Sequence, residues 1–284
     1  MNNLASMPRD YTKSLQFGGL IRTCYVHLPP GYDGSRAVPL VLALHGMGSD
    51  GRGMALLTHF NAIADEGGFI VAYPDGIRKR WSFGPLPMLG GIDDVGFIAA
   101  LIAALSSDLA IDQARVYALG MSNGGGLVDL LICRRADLFA AVVIVAATIA
   151  AFMSHICRPS RPVSVLMIHG TDDPLIPFAG GGRRRQLLLS APTTAQHWAR
   201  LAGCVDGPEV HYLPDSAHDG TRVRCEVYSG GPDGAEVILY VIEGGGHTWP
   251  GGMAYLPERI IGKTSRQFDA SLVIWDFFQR HTRS

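Results

Sequence analysis

Gly120-Met121-Ser122-Asn123-Gly124 sets a serine between an apolar run suited to a strand, residues 116–119, and one suited to a helix, residues 125–132. A serine on so sharp a strand-to-helix turn can hold its hydroxyl clear of the backbone, and glycine on both sides spares the collisions the reversal would cause. An alkoxide-forming serine needs a base, and the base needs an acid to hold its tautomer. Downstream, the apolar run 163–168 stops in His169-Gly170-Thr171-Asp172-Asp173-Pro174, an acidic loop closed by prolines. The run 237–242 leads into Glu243-Gly244-Gly245-Gly246-His247-Thr248-Trp249-Pro250, a glycine loop carrying one histidine. Ser122 as nucleophile, Asp173 as acid and His247 as base therefore fall at three strand ends. Asp173 is preferred to Asp172 because it sits against Pro174 at the tightest point of its loop, with Asp172 a solvated neighbour or a capping group.

Acyl transfer also needs fixed N–H donors for the oxyanion. The run 40–44 ends in His45-Gly46-Met47-Gly48, a glycine loop of the kind that supplies one backbone donor, and the residue after the nucleophile supplies another. The expected donors are the amides of Met47 and Asn123. His45 is a candidate for substrate contact, but a loop-orienting hydrogen bond is the better reading. Trp81 and Trp249 could wall the substrate with their rings, although packing is an equally common fate for tryptophan beside glycine and proline.

The elements that would carry these residues form an α/β pattern. Strand-like runs at 22–28, 39–44, 69–73, 115–119, 141–146, 163–168 and 237–242 are continuously apolar, as buried parallel strands are. Helical patterns lie between them. Asp93 or Asp94 suits the cap of a helix reaching about residue 105, and the pattern 269–280 should dock an apolar face on the sheet. The order Ser, Asp, His along the chain is that of the α/β-hydrolase fold, here expected as one domain over residues 1–284, with residues 1–17 an arm or a first edge strand.

The series Leu44-His45-Gly46, Tyr73-Pro74-Asp75-Gly76, Asp93-Asp94-Val95-Gly96-Phe97, Gly120-Met121-Ser122-Asn123-Gly124-Gly125, His169-Gly170-Thr171-Asp172-Asp173-Pro174 and Gly244-Gly245-Gly246-His247-Thr248-Trp249-Pro250-Gly251 resembles the polyhydroxybutyrate depolymerase-type esterases, which include feruloyl and acetyl xylan esterases. The resemblance runs over residues 18–278. It implies a secreted serine esterase without metal or cofactor, with Ser122, Asp173 and His247 in the catalytic positions. Its substrates would be feruloyl, acetyl or short-chain acyl esters of plant polysaccharide type, or hydroxyalkanoate oligomers. The chain departs from the family in two places. Trp81-Ser82-Phe83-Gly84-Pro85-Leu86-Pro87-Met88 lacks the family's cysteines, and Gly230-Gly231 stands where one would partner Cys204, leaving Cys225 as the substitute to consider.

Charged residues make up 17% of the 284 and hydrophobic ones 48%, against roughly 25% charged in an average domain, so the chain reads as a compact, weakly charged globule. A formal net charge of −1 offers no field to nucleic acid or an anionic membrane. Arg183-Arg184-Arg185 reads as a solvated loop. No run reaches the ~18 apolar residues of a membrane span. No charged-then-apolar leader is visible at the start, which suits an intracellular protein or a processed chain. Among Cys24, Cys133, Cys157, Cys204 and Cys225 no C-x-x-C spacing marks a metal site. Cys133, ending the nucleophile helix, and Cys157, preceding the acid-bearing strand, are the expected disulfide pair. Nothing in the sequence sets the oligomeric state. A non-catalytic carbohydrate- or partner-binding module on the same fold is the alternative of another class.

Overall fold

In the computed structural model, residues 8–82, 92–181 and 187–283 are described. The sheet order is β1-β2-β4-β3-β5-β6-β7-β10-β9-β8. At its centre β4 (Ile70–Pro74), β3 (Val38–Leu44), β5 (Ile111–Met121), β6 (Ala141–Val145), β7 (Ser164–Gly170) and β10 (Val237–Glu243) run parallel. Antiparallel strands close both sides: β1 (Asp10–Phe17) and β2 (Leu20–His27) on one, β9 (Arg222–Ser229) and β8 (Asp206–Tyr212) on the other. Every residue of β4, β6 and β7 is buried, which is why those segments read as unbroken apolar runs. Of the N-terminal segment 1–17, Asp10–Phe17 forms the edge strand β1, and residues 1–7 lie outside the described residues.

Strand alternation divides the core between the two faces. Leu40, Leu42 and Leu44 of β3 pack with Phe97, Leu101 and Leu105 of α3 (Asp94–Asp108), Leu127 and Leu131 of α4 (Asn123–Arg135) and Trp198 of α6 (Ala191–Ala202). Val41 and Ala43 face the other way, toward Met54 of α1 (Gly51–Thr58), Phe60 of α2 (Phe60–Gly67) and Phe277 of α8 (Ala270–Gln279). Asp93 caps α3 by accepting the Gly96 N–H at 2.8 Å, and Asp269 caps α8. Asp94 instead turns inward, taking Arg22 at 2.7 Å and the Ser82 N–H at 2.7 Å. A short helix α5 (Ala151–Ile156) and α7 (Glu258–Ile261) complete the set.

Cys133 and Cys157 are joined by a disulfide, tying the end of α4 to the segment before β7. Cys204 and Cys225 do not pair; both are free, as is Cys24. The Arg183-Arg184-Arg185 run and the loop from Phe83 onward lie outside the described residues. Among the described residues no helix is long and apolar enough to cross a membrane.

Candidate active site

Ser122 stands between the end of β5 and the start of α4 with φ 54° and ψ −117°, a conformation that costs a non-glycine residue on the order of 1–3 kcal/mol and is typical of functional turns. Its N–H is held by the Val145 carbonyl at 2.9 Å, and its own carbonyl takes the Gly126 N–H at 3.0 Å. The flanking glycines are required by contact. A Cβ on Gly120 would lie 2.3 Å from the Gly124 carbonyl oxygen, and one on Gly124 would lie 2.2 Å from that of Leu44. The second contact lets the nucleophile helix press its N-terminus against the end of β3.

His247 and Asp173 meet from the loops after β10 and β7. The His247 Nδ1–H donates to Asp173 Oδ2 at 2.7 Å, with both side chains buried. The other carboxylate oxygen, Oδ1, accepts the N–H groups of Leu175 and Ile176, each at 2.8 Å. The carboxylate is thus fixed by its own loop and points one oxygen at the imidazole. Asp172 is exposed and accepts the Thr171 hydroxyl. With a proton on Nδ1, His247 keeps the Nε2 lone pair for Ser122, which lines the same cavity. Ser122 makes no hydrogen bond to His247 among the described residues.

Met47 and Asn123 also line this cavity. Asn123 is the first residue of α4, whose initial N–H groups have no partner within the helix. The Met47 N–H has no acceptor among the described residues, whereas its neighbours Gly48 and Ser49 donate to Lys79 and Gly46. Neither amide is committed to a backbone acceptor among the described residues.

Of the three residues considered for substrate contact, none is among the described lining residues of the cavity. His45 is fully buried, its Nδ1–H donating to the Gly46 carbonyl and its Nε2 accepting the Gly76 N–H at 2.9 Å. Burial holds it below the usual histidine range, so it is a neutral brace for the loop. Trp249 is 1% exposed and donates through Nε1 to Ser271 of α8, so it anchors the histidine loop to the core. Trp81 is 3% exposed, and its indole N–H donates to the His45 carbonyl at 2.9 Å. All three rings fill the scaffold instead of the cavity, because each has a polar atom whose partner lies inward.

Sequence reasoning missed other residues. His169 lies under Asp173 at the end of β7; its spacing of four from the acid was the available signal. Tyr255 lines the cavity and donates its hydroxyl to the His247 carbonyl at 2.8 Å, but nothing periodic marks its loop. The cavity, about 770 Å³, takes Met54 and Leu57 from α1 on one side and Leu175, Ile176 and Leu188 on the other. His247 is the only ionisable imidazole, carboxylate or cationic side chain among its described lining residues.

An elbow serine at the end of a central parallel strand, with a buried histidine–carboxylate couple brought to the same cavity by two later loops, defines an α/β-hydrolase. The chain belongs to the family described as esterase PHB depolymerase, whose model matches residues 23–174, and it is a carboxylic ester hydrolase. It is 31% identical over 274 residues to a protein of Nocardia uniformis subsp. tsuyamanensis bearing the name "Putative esterase NocK", covering 91% of this chain and 79% of that one. It is also 31% identical over 240 residues to feruloyl esterase B of Piromyces equi, covering 80% of this chain but 42% of the relative's length. The fold is shared with acetyl xylan esterase from Aspergillus awamori, at a TM-score of 0.60 and 16% identity over 84% of this chain and 94% of that one.

Proposed function

We propose that the chain is a serine esterase acting through an acyl-enzyme, with Ser122 as nucleophile, His247 as general base and acid, and Asp173 as the group that orients and stabilises the imidazolium. The observation that carries this reading is the buried 2.7 Å His247–Asp173 bond opening onto the cavity of an elbow serine. His247 Nε2 takes the Ser122 proton as Oγ attacks the ester carbonyl carbon. The Met47 and Asn123 amides receive the oxyanion. When the tetrahedral intermediate collapses, the bond to the alkoxy oxygen breaks and His247 returns the proton to the departing alcohol. Water, deprotonated by the same nitrogen, attacks the acyl-enzyme and releases the carboxylic acid and Ser122. These residues need no metal or cofactor for the sequence of steps.

For the substrate we infer feruloyl, acetyl or short-chain acyl esters of plant polysaccharide type. The names borne by the Piromyces relative and the Aspergillus structure support this, as does a cavity with mostly apolar walls, suited to an uncharged acyl or aryl group. The description of the family keeps hydroxybutyrate oligomers as the second reading. The Cys133–Cys157 disulfide fits an oxidising, extracellular setting, and a formal net charge of −1 offers nucleic acid no attraction. The test is a panel of p-nitrophenyl acetate, butyrate and octanoate, methyl ferulate, acetylated xylan and a 3-hydroxybutyrate oligomer, with wild type and Ser122→Ala. Hydrolysis abolished by Ser122→Ala supports the serine mechanism, and the highest kcat/KM identifies the ester class. A folded wild type that neither hydrolyses the panel nor labels with a fluorophosphonate would favour a binding module.

A further inference from the structure

We propose that Trp81 is a positioning residue for the oxyanion hole, setting the separation between its two donors. This rests on the assignment of the hole to the Met47 and Asn123 amides. Trp81 is bonded to both of the segments that supply them. Its indole Nε1–H donates to the His45 carbonyl at 2.9 Å, on the peptide that leads through Gly46 to Met47. Its backbone N–H donates to Asn123 Oδ1 at 2.6 Å, and its backbone carbonyl accepts from Asn123 Nδ2 at 3.2 Å. The Asn123 side chain therefore gives its amide to Trp81, while its backbone N–H, at the first position of α4, has no partner within the helix.

Trp81 is itself held from outside. The next residue, Ser82, gives its N–H to Asp94, which is paired with Arg22 in a fully buried ion pair. The indole packs against the His45 ring at a centroid distance of 4.9 Å. Around it, the Gly76 N–H donates to His45 Nε2 and the Gly48 N–H to the Lys79 carbonyl at 2.8 Å, so residues 76–81 and 45–48 are fastened along their length. The two donors come from different strand ends, β3 and β5, and two loops with independent motion would present them at varying separation. A bridge bonded to both removes that freedom before substrate arrives, which is what preorganised stabilisation of an oxyanion demands.

Trp81→Phe keeps an aromatic ring and removes the indole donor. On whichever panel ester the wild type turns over fastest, kcat should fall about tenfold, since removing a whole oxyanion donor costs about 100- to 1,000-fold and here both donors remain but are less well held. KM should stay within about twofold. The Ki of phenylboronic acid, whose serine adduct places an oxygen in the hole, should rise by the same factor as kcat falls. Asn123→Ala, which keeps the backbone amide and releases Trp81 from the other side, should show the same pair of changes, and the double variant should fall little below the worse single one. The proposal is overturned if the folded Trp81→Phe protein retains wild-type kcat, or loses kcat with the boronate Ki unmoved. If Trp81→Phe does not fold, Asn123→Ala decides by the same two measurements. Failure of the underlying mechanism would show differently, as absent turnover in the wild type or turnover surviving Ser122→Ala.

Discussion

His169 Nε2 lies 3.7 Å from Asp173 Oδ2 and donates to the Ile176 carbonyl at 2.9 Å, while the Ile176 N–H donates to Asp173 Oδ1. One residue, Ile176, thus links the buried histidine to the proposed triad acid through its carbonyl on one side and its N–H on the other. Burial holds His169 below the usual histidine range, so it acts as a neutral donor and leaves the carboxylate's charge to His247.

Replacing His169 with Leu should free the loop that seats Asp173 and lower kcat about tenfold, with KM little changed. His169→Gln, whose amide can reach the same carbonyl, should recover most of the loss. Steady-state kinetics of the two variants check this, and equal losses in both would speak against the donor role.

Asp129 of α4 is 1% exposed, and among the described residues neither carboxylate oxygen has a hydrogen-bond partner of good geometry, the nearby Trp198 indole included. Burial pushes its carboxyl well above the ordinary value. The folded state therefore holds the proton more tightly than the unfolded one, and the resulting penalty on stability is absent below about pH 3.8 and grows as pH rises through the folded value. Asp129→Asn should raise Tm, by more at pH 8 than at pH 4. A Tm difference independent of pH would count against a carboxyl held neutral.

His197 shows the opposite sign. Burial, then the charges of Arg200, Arg158 and His155, push it down to about 4. The unfolded chain takes up this proton near pH 6.5, so stability that is full above that pH is lost as pH falls toward 4. His45 and His169 shift in the same direction. Thermal melts across this window should show Tm falling with acid, and His197→Gln should shallow the slope.

The Cys133–Cys157 disulfide closes a loop with a sequence separation of 24. By loop entropy it should contribute about 3.5 kcal/mol, or roughly 6 °C in Tm for a chain of this size. Melting with and without reductant, and of the paired serine variant, measures it.

The strands that carry the site were legible because burial on both faces leaves no polar alternation to confuse with a helix. β8 and β9 were not. Asp-Gly-Pro-Glu-Val-His-Tyr is exposed along its whole length and presents no apolar run, and β9 buries Glu226 among its apolar residues. Asp10–Phe17 alternates intermediate and exposed positions, a weaker mark than a continuous run. For the site, motif order pointed to Ser122, Asp173 and His247, which the fold brings to one place. It could not tell a tryptophan lining a cavity from one bonded inward. That depends on where the indole N–H finds an acceptor, His45 for Trp81 and Ser271 for Trp249, and those partners lie 36 and 22 residues away in sequence.

The sheet does not close on itself, and β8 leaves one side of it bare. An unpaired strand edge invites another chain to add to it, the first step toward aggregation. β8 carries Pro208, which has no N–H to offer an incoming strand, with Asp206 and Glu209 on either side. Such a strand is a poor template for an incoming chain, and the same residues that hid β8 from sequence reading serve as its guard.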